Sequence, residues 1–64
     1  MFELGKIYWV EVKGHTKDRV KFRGKILEEN EFMIKLERDD GKIEIILFNK
    51  ILDINLDKNQ DIEK

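Results

Sequence analysis

The stretch "RVKFRGKILEENEFMIKLE", residues 19–37, decides how this chain is read. Its first half alternates: Arg19, Lys21, Arg23 and Lys25 fall on one parity, Val20, Phe22, Gly24 and Ile26 on the other. Period two of this kind is the mark of a half-buried strand. The polar corner "EEN" (28–30) interrupts it. A second alternation follows, with Phe32, Ile34 and Leu36 inward and Met33, Lys35 and Glu37 outward. Gly24 lies mid-strand, where glycine weakens a sheet and marks a bend or bulge at which a strand crosses from one side of a barrel to the other.

The same period continues on both sides of this stretch. In "KIYWVEVK", Tyr8, Val10 and Val12 alternate against Ile7, Trp9 and Glu11. In "KIEIILF", Ile43, Ile45 and Leu47 are expected inside and Glu44, Ile46 and Phe48 outside. "ILDINL" closes the series with Ile51, Ile54 and Leu56. The breaks are turn-like: "KGHTKD" (13–18), and "RDDG" (38–41) with its Asp-Gly hairpin signal. "NK" (49–50) is too short for a wide loop, so strands four and five should meet at a sharp corner. Five short strands with tight connections predict an all-β fold, a small closed or nearly closed barrel. The expected organisation is one domain over residues 1–56, followed by a polar tail, 57–64, that frays.

Composition limits what such a domain does. At 64 residues a single core is marginal, and oligomerisation is the natural source of further burial. There is no cysteine and one histidine, His15, so disulfide, thiolate-metal and multi-ligand zinc sites are not expected. No apolar run is long enough to span a bilayer, and "MFELGKIYWVEV" lacks a signal-peptide pattern, so the expectation is a cytoplasmic chain with no membrane partner. Charged residues make up 42% of the chain, while Ser, Ala and Pro are absent. A Lys/Glu/Ile-rich bias of this kind suits a thermophile, although a low-GC genome produces it too.

No enzyme and no cofactor are expected. There is no serine or cysteine nucleophile, Thr16 is the only threonine, and the carboxylate pairs Glu28–Glu29 and Asp39–Asp40 fall in turns. Asp57, Asn59 and Asp61 occupy the first, third and fifth positions of a calcium loop, but Ile62 stands where that motif needs glycine. No metal site is expected there.

The charge distribution is more informative than its total of −1. Residues 1–27 carry seven Lys and Arg against three acids, and residues 28–64 carry six against eleven. Such asymmetry can make a positive patch on a nearly neutral protein. Arg19, Lys21, Arg23 and Lys25 would project from one strand face roughly 7 Å apart. With Lys13, His15 and Lys17 in the preceding turn they could track a phosphate backbone. They could equally be spent on cross-strand ion pairs with the downstream acids. Trp9, Met33, Ile46 and Phe48 are the apolar residues that the alternation leaves outside. A group of such residues indicates an interface. Ile46 and Phe48, with Ile54 of the last strand, are assigned to subunit contact, and Trp9 is left open between such an interface and stacking a base beside the basic strand.

The segment 19–36 resembles the first motif of Sm-like proteins, the LSm and Hfq group. The pattern is Val20-x-Phe22-x-Gly24-x-Ile26, then Asn30 where the family has Asp, then Glu31-Phe32 and the apolar strand Met33 to Leu36. The resemblance covers residues 7–56 as an order of strands and 19–36 as a motif. It implies a strongly bent five-stranded Sm-like (Src-homology-3-like) barrel. Protomers of that family pair strand four with strand five of a neighbour, often in rings of six or seven, and bind single-stranded RNA. Phe32 falls on the family's base-stacking position, although it also fits an inward, core-packing place beside Ile34. The second motif departs: Leu47-Phe48-Asn49 stands where Hfq carries Tyr-Lys-His, and there is no Arg-Gly pair. The uracil-reading Asn of Sm proteins falls on Ile34.

Two functions follow as expectations. One is an oligomeric nucleic-acid binder, for RNA with DNA as the other candidate, that uses Lys17, Arg19, Lys21, Arg23, Lys25, Trp9, His15 and Phe32. The other is a protein-interaction or assembly module with ion-paired charges and no nucleic acid.

Overall fold

A computed structural model describes residues 2–14, 16 and 18–60. Five antiparallel strands form one sheet: β1 (Ile7–Lys13), β2 (Arg19–Glu29), β3 (Met33–Arg38), β4 (Ile43–Leu47) and β5 (Ile51–Leu56), with a 3₁₀ turn, Phe48–Lys50, between β4 and β5. The spatial order is β4-β3-β2-β1-β5. The all-β expectation therefore holds. The closed barrel is not seen, since β4 and β5 are the two sheet edges and no ladder joins them among the described residues.

The sheet curls because of β2. Its first part pairs with β1, from Arg19 opposite Lys13 to Lys25 opposite Ile7, and its second part pairs with β3, from Gly24 opposite Arg38 to Glu29 opposite Ile34. Only Gly24 and Lys25 belong to both ladders. A register shift between Ile26 and Glu28 adds a bulge at Leu27, which increases local twist. The core confirms the curl. Tyr8 and Val10 of β1, Ile26 of β2, Ile34 and Leu36 of β3 and Ile46 of β4 form one buried cluster. In a flat sheet β1 and β4 would lie about 15 Å apart, three strand spacings, and could not share a core. No charged side chain is buried among the described residues.

Phe2 seals one end of this core. Its ring meets Tyr8 edge-on at 5.5 Å and lies 6.3 Å from Phe48. The Gly5 and Ile26 N–H groups donate to Ile26 and Lys6 carbonyls at 2.8 and 3.1 Å, which ties the N-terminal segment to β2.

Strand β4 corrects the expected parity. Ile46 is buried at 6% exposure, while Ile43, Ile45 and Leu47 are exposed. The register explains it: Ile46 faces Ile34, and Glu44 faces Leu36, and directly opposed residues share a face. Glu44 is tolerated on the inner face because the Arg38 guanidinium binds it at 2.9 Å. Ile46 is therefore core, and Phe48 and Ile54 pack against the core. The outward place expected for Ile46 is thus corrected, while Phe48 and Ile54 are half-buried against the core. The outward apolar residues of the edge strands are Ile43, Ile45 and Leu47 on β4, and Leu52 and Leu56 on β5.

Gly24 is the tightest point. A Cβ there would lie 2.5 Å from the Glu37 carbonyl oxygen and closer still to the Leu36 side chain. Neither can retreat, since Leu36 is fully buried and Glu37 belongs to the β2–β3 ladder. Gly24→Ala should cost about 3 kcal/mol, the upper part of the overpacking range, a large share of the stability of a domain this small. A urea denaturation midpoint close to wild type would contradict this account of the bend.

Candidate nucleic-acid interface

The outward face of β2 carries Arg19, Lys21, Arg23 and Lys25, as the alternation predicted, because Phe22, Gly24 and Ile26 turn inward. The pairing with β1 sets Trp9 opposite Arg23 and Glu11 opposite Lys21. Trp9 is 39% exposed, and the Lys21 ammonium sits 5.8 Å from its ring centroid. This is a cation–π arrangement on an open surface. A cleft of 310 Å³ beside it is lined by Trp9, Lys21 and Arg23 together with Arg38, Asp39 and Asp40. His15 and Lys17 lie outside the described residues.

The four cations divide by residue type. Arg19 bonds Glu11 at 3.2 Å. Arg23 is held from several sides: its Nε–H donates to Asp57, one terminal nitrogen donates to Asp39 at 3.2 Å, and the other donates to the Asn59 carbonyl at 3.2 Å. Lys21 and Lys25 form no ion pair among the described residues. The row is thus half neutralised from within. A planar fork suits fixed carboxylates, while an ammonium on a flexible stem remains available to a mobile anion.

Asp57 is the main internal counter-charge. Its carboxylate accepts the Asn59 N–H at 3.0 Å in a local turn as well as the Arg23 bond. These two contacts, in that order, hold it below the ordinary carboxylate range, and the Asp57 bond raises Arg23 in turn. Gln60 anchors the same segment: its amide accepts from the Ile7 N–H and donates to the Ile7 carbonyl, both at 2.7 Å. Residues 57–60, the first part of the polar tail, thus carry a set of bonds that bear directly on the basic row. The apparent calcium positions Asp57 and Asn59 serve this turn. No group of three His, Cys, Asp or Glu side chains among the described residues is placed to hold a metal ion.

Phe32 is not core. It is 68% exposed, because Asn30 turns the chain just before β3, accepting the Phe32 and Met33 N–H groups on its side chain at 2.7 and 2.9 Å. The Phe48 N–H donates to the Phe32 carbonyl at 2.9 Å. The β2–β3 turn and the β4–β5 corner thereby meet in a pocket of 370 Å³ lined by Glu31, Phe32, Leu47, Phe48 and Asn49. Those are the two segments on which the Sm-like resemblance places its motifs. The pocket has an exposed ring but no cation, and Glu31 is its only charge.

A third feature was not legible in the sequence. Lys13 and Lys50 converge with Asn49 on a groove floored by Val12, Val20 and Phe22. Neither lysine has an ion pair among the described residues. No local signal links residues 37 positions apart in a chain; only the strand order brings them together.

No family model, curated protein or solved structure matches the chain.

The depressed Asp57 predicts a pH effect. A carboxyl with a lower pKa folded than unfolded adds stability above its unfolded value, 3.8, and loses it as pH falls through the folded value. Asp57→Asn should lower the urea midpoint at pH 7 and have a smaller effect at an acid pH well below 3.8, as the wild-type carboxyl loses its charge. Equal loss at both pH values would assign the effect to the Asn59 turn rather than to the charge.

Proposed function

We propose that this chain is a small Sm-like β-barrel-type protein of the cytoplasm that binds single-stranded RNA as a homo-oligomer. The observation that carries this reading is Lys21 poised beside the exposed Trp9, with Lys25 on the same face and no ion pair to either among the described residues. An aromatic face next to unpaired ammonium groups suits a base stacked on the ring with its phosphates on the cations. Exposed Phe32 offers a second stacking surface on a different turn. The β4 and β5 edges are open within the chain, as a pairing of strand four with strand five of a neighbour would require. Oligomerisation would cover two unpaired edges whose outward apolar side chains, Ile45 and Leu52 among them, face solvent in the single chain.

Binding should weaken steeply with salt. Lys21→Glu with Lys25→Glu should reduce affinity for a short U-rich RNA at least tenfold and lower the salt slope by about 1.4, two single-strand phosphate contacts. Fluorescence anisotropy against U-rich RNA, A-rich RNA and single-stranded DNA reads this. Absence of affinity for all three at low salt overturns the nucleic-acid reading.

A second reading, an assembly module without nucleic acid, has one specific observation in its favour: both arginines of the row are already ion-paired. The two readings share the edge strands. Ile45→Lys with Leu52→Lys should reduce the solution mass at micromolar concentration toward that of one 7.7 kDa chain. A wild type that is already monomeric would remove the oligomer from both.

A further inference from the structure

We propose that the groove between the β1–β2 hairpin and the β4–β5 corner is a binding site for a small organic anion with an apolar body, such as a medium-chain carboxylate. Its floor lies on the other side of the sheet from the basic row, since Val20 and Phe22 have the parity opposite to Arg19, Lys21 and Arg23, whereas Lys13, paired with Arg19, lines it from the strand end. It does not depend on the nucleic-acid reading.

The groove exists because the sheet curls without closing. Strand β1 ends at Lys13 and β2 begins at Arg19, and Val12, Lys13, Gly14 and Val20 from these strand ends form one wall. Across from it the 3₁₀ turn Phe48–Lys50 brings Asn49 and Lys50 to the opposite wall. The space between them measures 680 Å³, within the range of roughly 300–1,000 Å³ that small-molecule sites occupy. It adjoins a smaller pocket of 240 Å³, reaching Ile46 and Leu47, that shares Val12, Lys13, Phe22 and Lys50.

Its chemistry selects the ligand. The floor is Val12, Val20 and Phe22, and Val20 is exposed although its parity points inward. Lys13 and Lys50 stand on the rim without a carboxylate partner among the described residues. Glu44 lines the adjoining pocket, but its charge is already met by Arg38 at 2.9 Å. The groove therefore offers apolar contact below two uncompensated positive charges. A neutral apolar molecule gains only the floor, and an inorganic anion gains only the lysines. A cationic amphiphile is repelled. A molecule with an apolar tail and an anionic head gains both, and its head can accept charge-assisted hydrogen bonds from two ammonium groups. Asn49 adds a neutral donor and acceptor at the same rim.

Amide NMR titration tests this, with sodium octanoate, octylammonium chloride and 1-octanol as probes. Octanoate should shift the Val12, Val20 and Asn49 amides saturably, with octanol at least fivefold and octylammonium at least tenfold weaker. Lys13→Glu with Lys50→Glu should weaken octanoate at least tenfold while the spectrum stays dispersed. If that variant fails to fold, Lys13→Gln with Lys50→Gln should weaken it at least threefold. Equal binding of octylammonium, unchanged affinity in the lysine variants, or shifts centred elsewhere overturns the proposal. A short U-rich RNA should leave the octanoate shifts in place. Displacement by RNA would make the groove part of a nucleic-acid surface and would also overturn it.

Discussion

The close approach of β2 and β3 at Gly24 governs the rest of the structure. Gly24 and Lys25 are the only positions of β2 with a partner on both sides, so the two halves of the sheet share this short segment. Leu36 packs where a side chain on residue 24 would stand. That contact lets the β3–β4 half fold over β1 and gathers Val10, Ile26, Ile34, Leu36 and Ile46 into one core. A 64-residue chain cannot build a second apolar layer, so curling the sheet over itself is how it buries one face.

The same curl explains what the sequence conveyed and what it withheld. Strand positions were legible because period-two alternation is a local property, and the mid-strand glycine announced the bend. Strand β4 was misread because Ile45, Ile46 and Leu47 are apolar on both parities. The polar Glu44 then appeared to mark the outside, whereas its partner Arg38 allows it to face in. Phe32 was misplaced for a related reason: the alternation of β3 was extended one residue too far, through a turn that Asn30 controls. Barrel closure depends on the relation of β4 to β5, at opposite ends of the sheet order, and no periodicity within a strand reports it.

Of the candidate site, the residue types on the β2 face were legible, but their partners were not. Asp57 meets Arg23 across 34 positions of sequence, and the chain binds that aspartate at the end of β5 with Gln60 on the Ile7 backbone. The consequence is a division of labour along one strand. Both arginines are committed to internal carboxylates, and Arg23 fixes the C-terminal segment to the sheet. The lysines between and beside them keep their charge for something else. Counting cations in the row would overstate its attraction for phosphate by about a factor of two, which is why net charge and local charge both mislead here.

The lysines without an ion pair among the described residues are therefore not equivalent in their surroundings. Lys21 stands beside an exposed aromatic ring at the edge of a shallow cleft on the strand face, with Lys25 further along the same strand. Lys13 and Lys50 line a groove with an apolar floor of Val12, Val20 and Phe22. A polymer with repeating charge suits the first geometry, and a short molecule with one charged end suits the second. Both faces are set by β2, since its outward residues make the first surface and its inward Val20 and Phe22 floor the second. A chain with a single sheet can carry two chemically different surfaces because alternation sends neighbouring residues to opposite sides, and in this sheet the curl turns one side into a surface and the other into a groove.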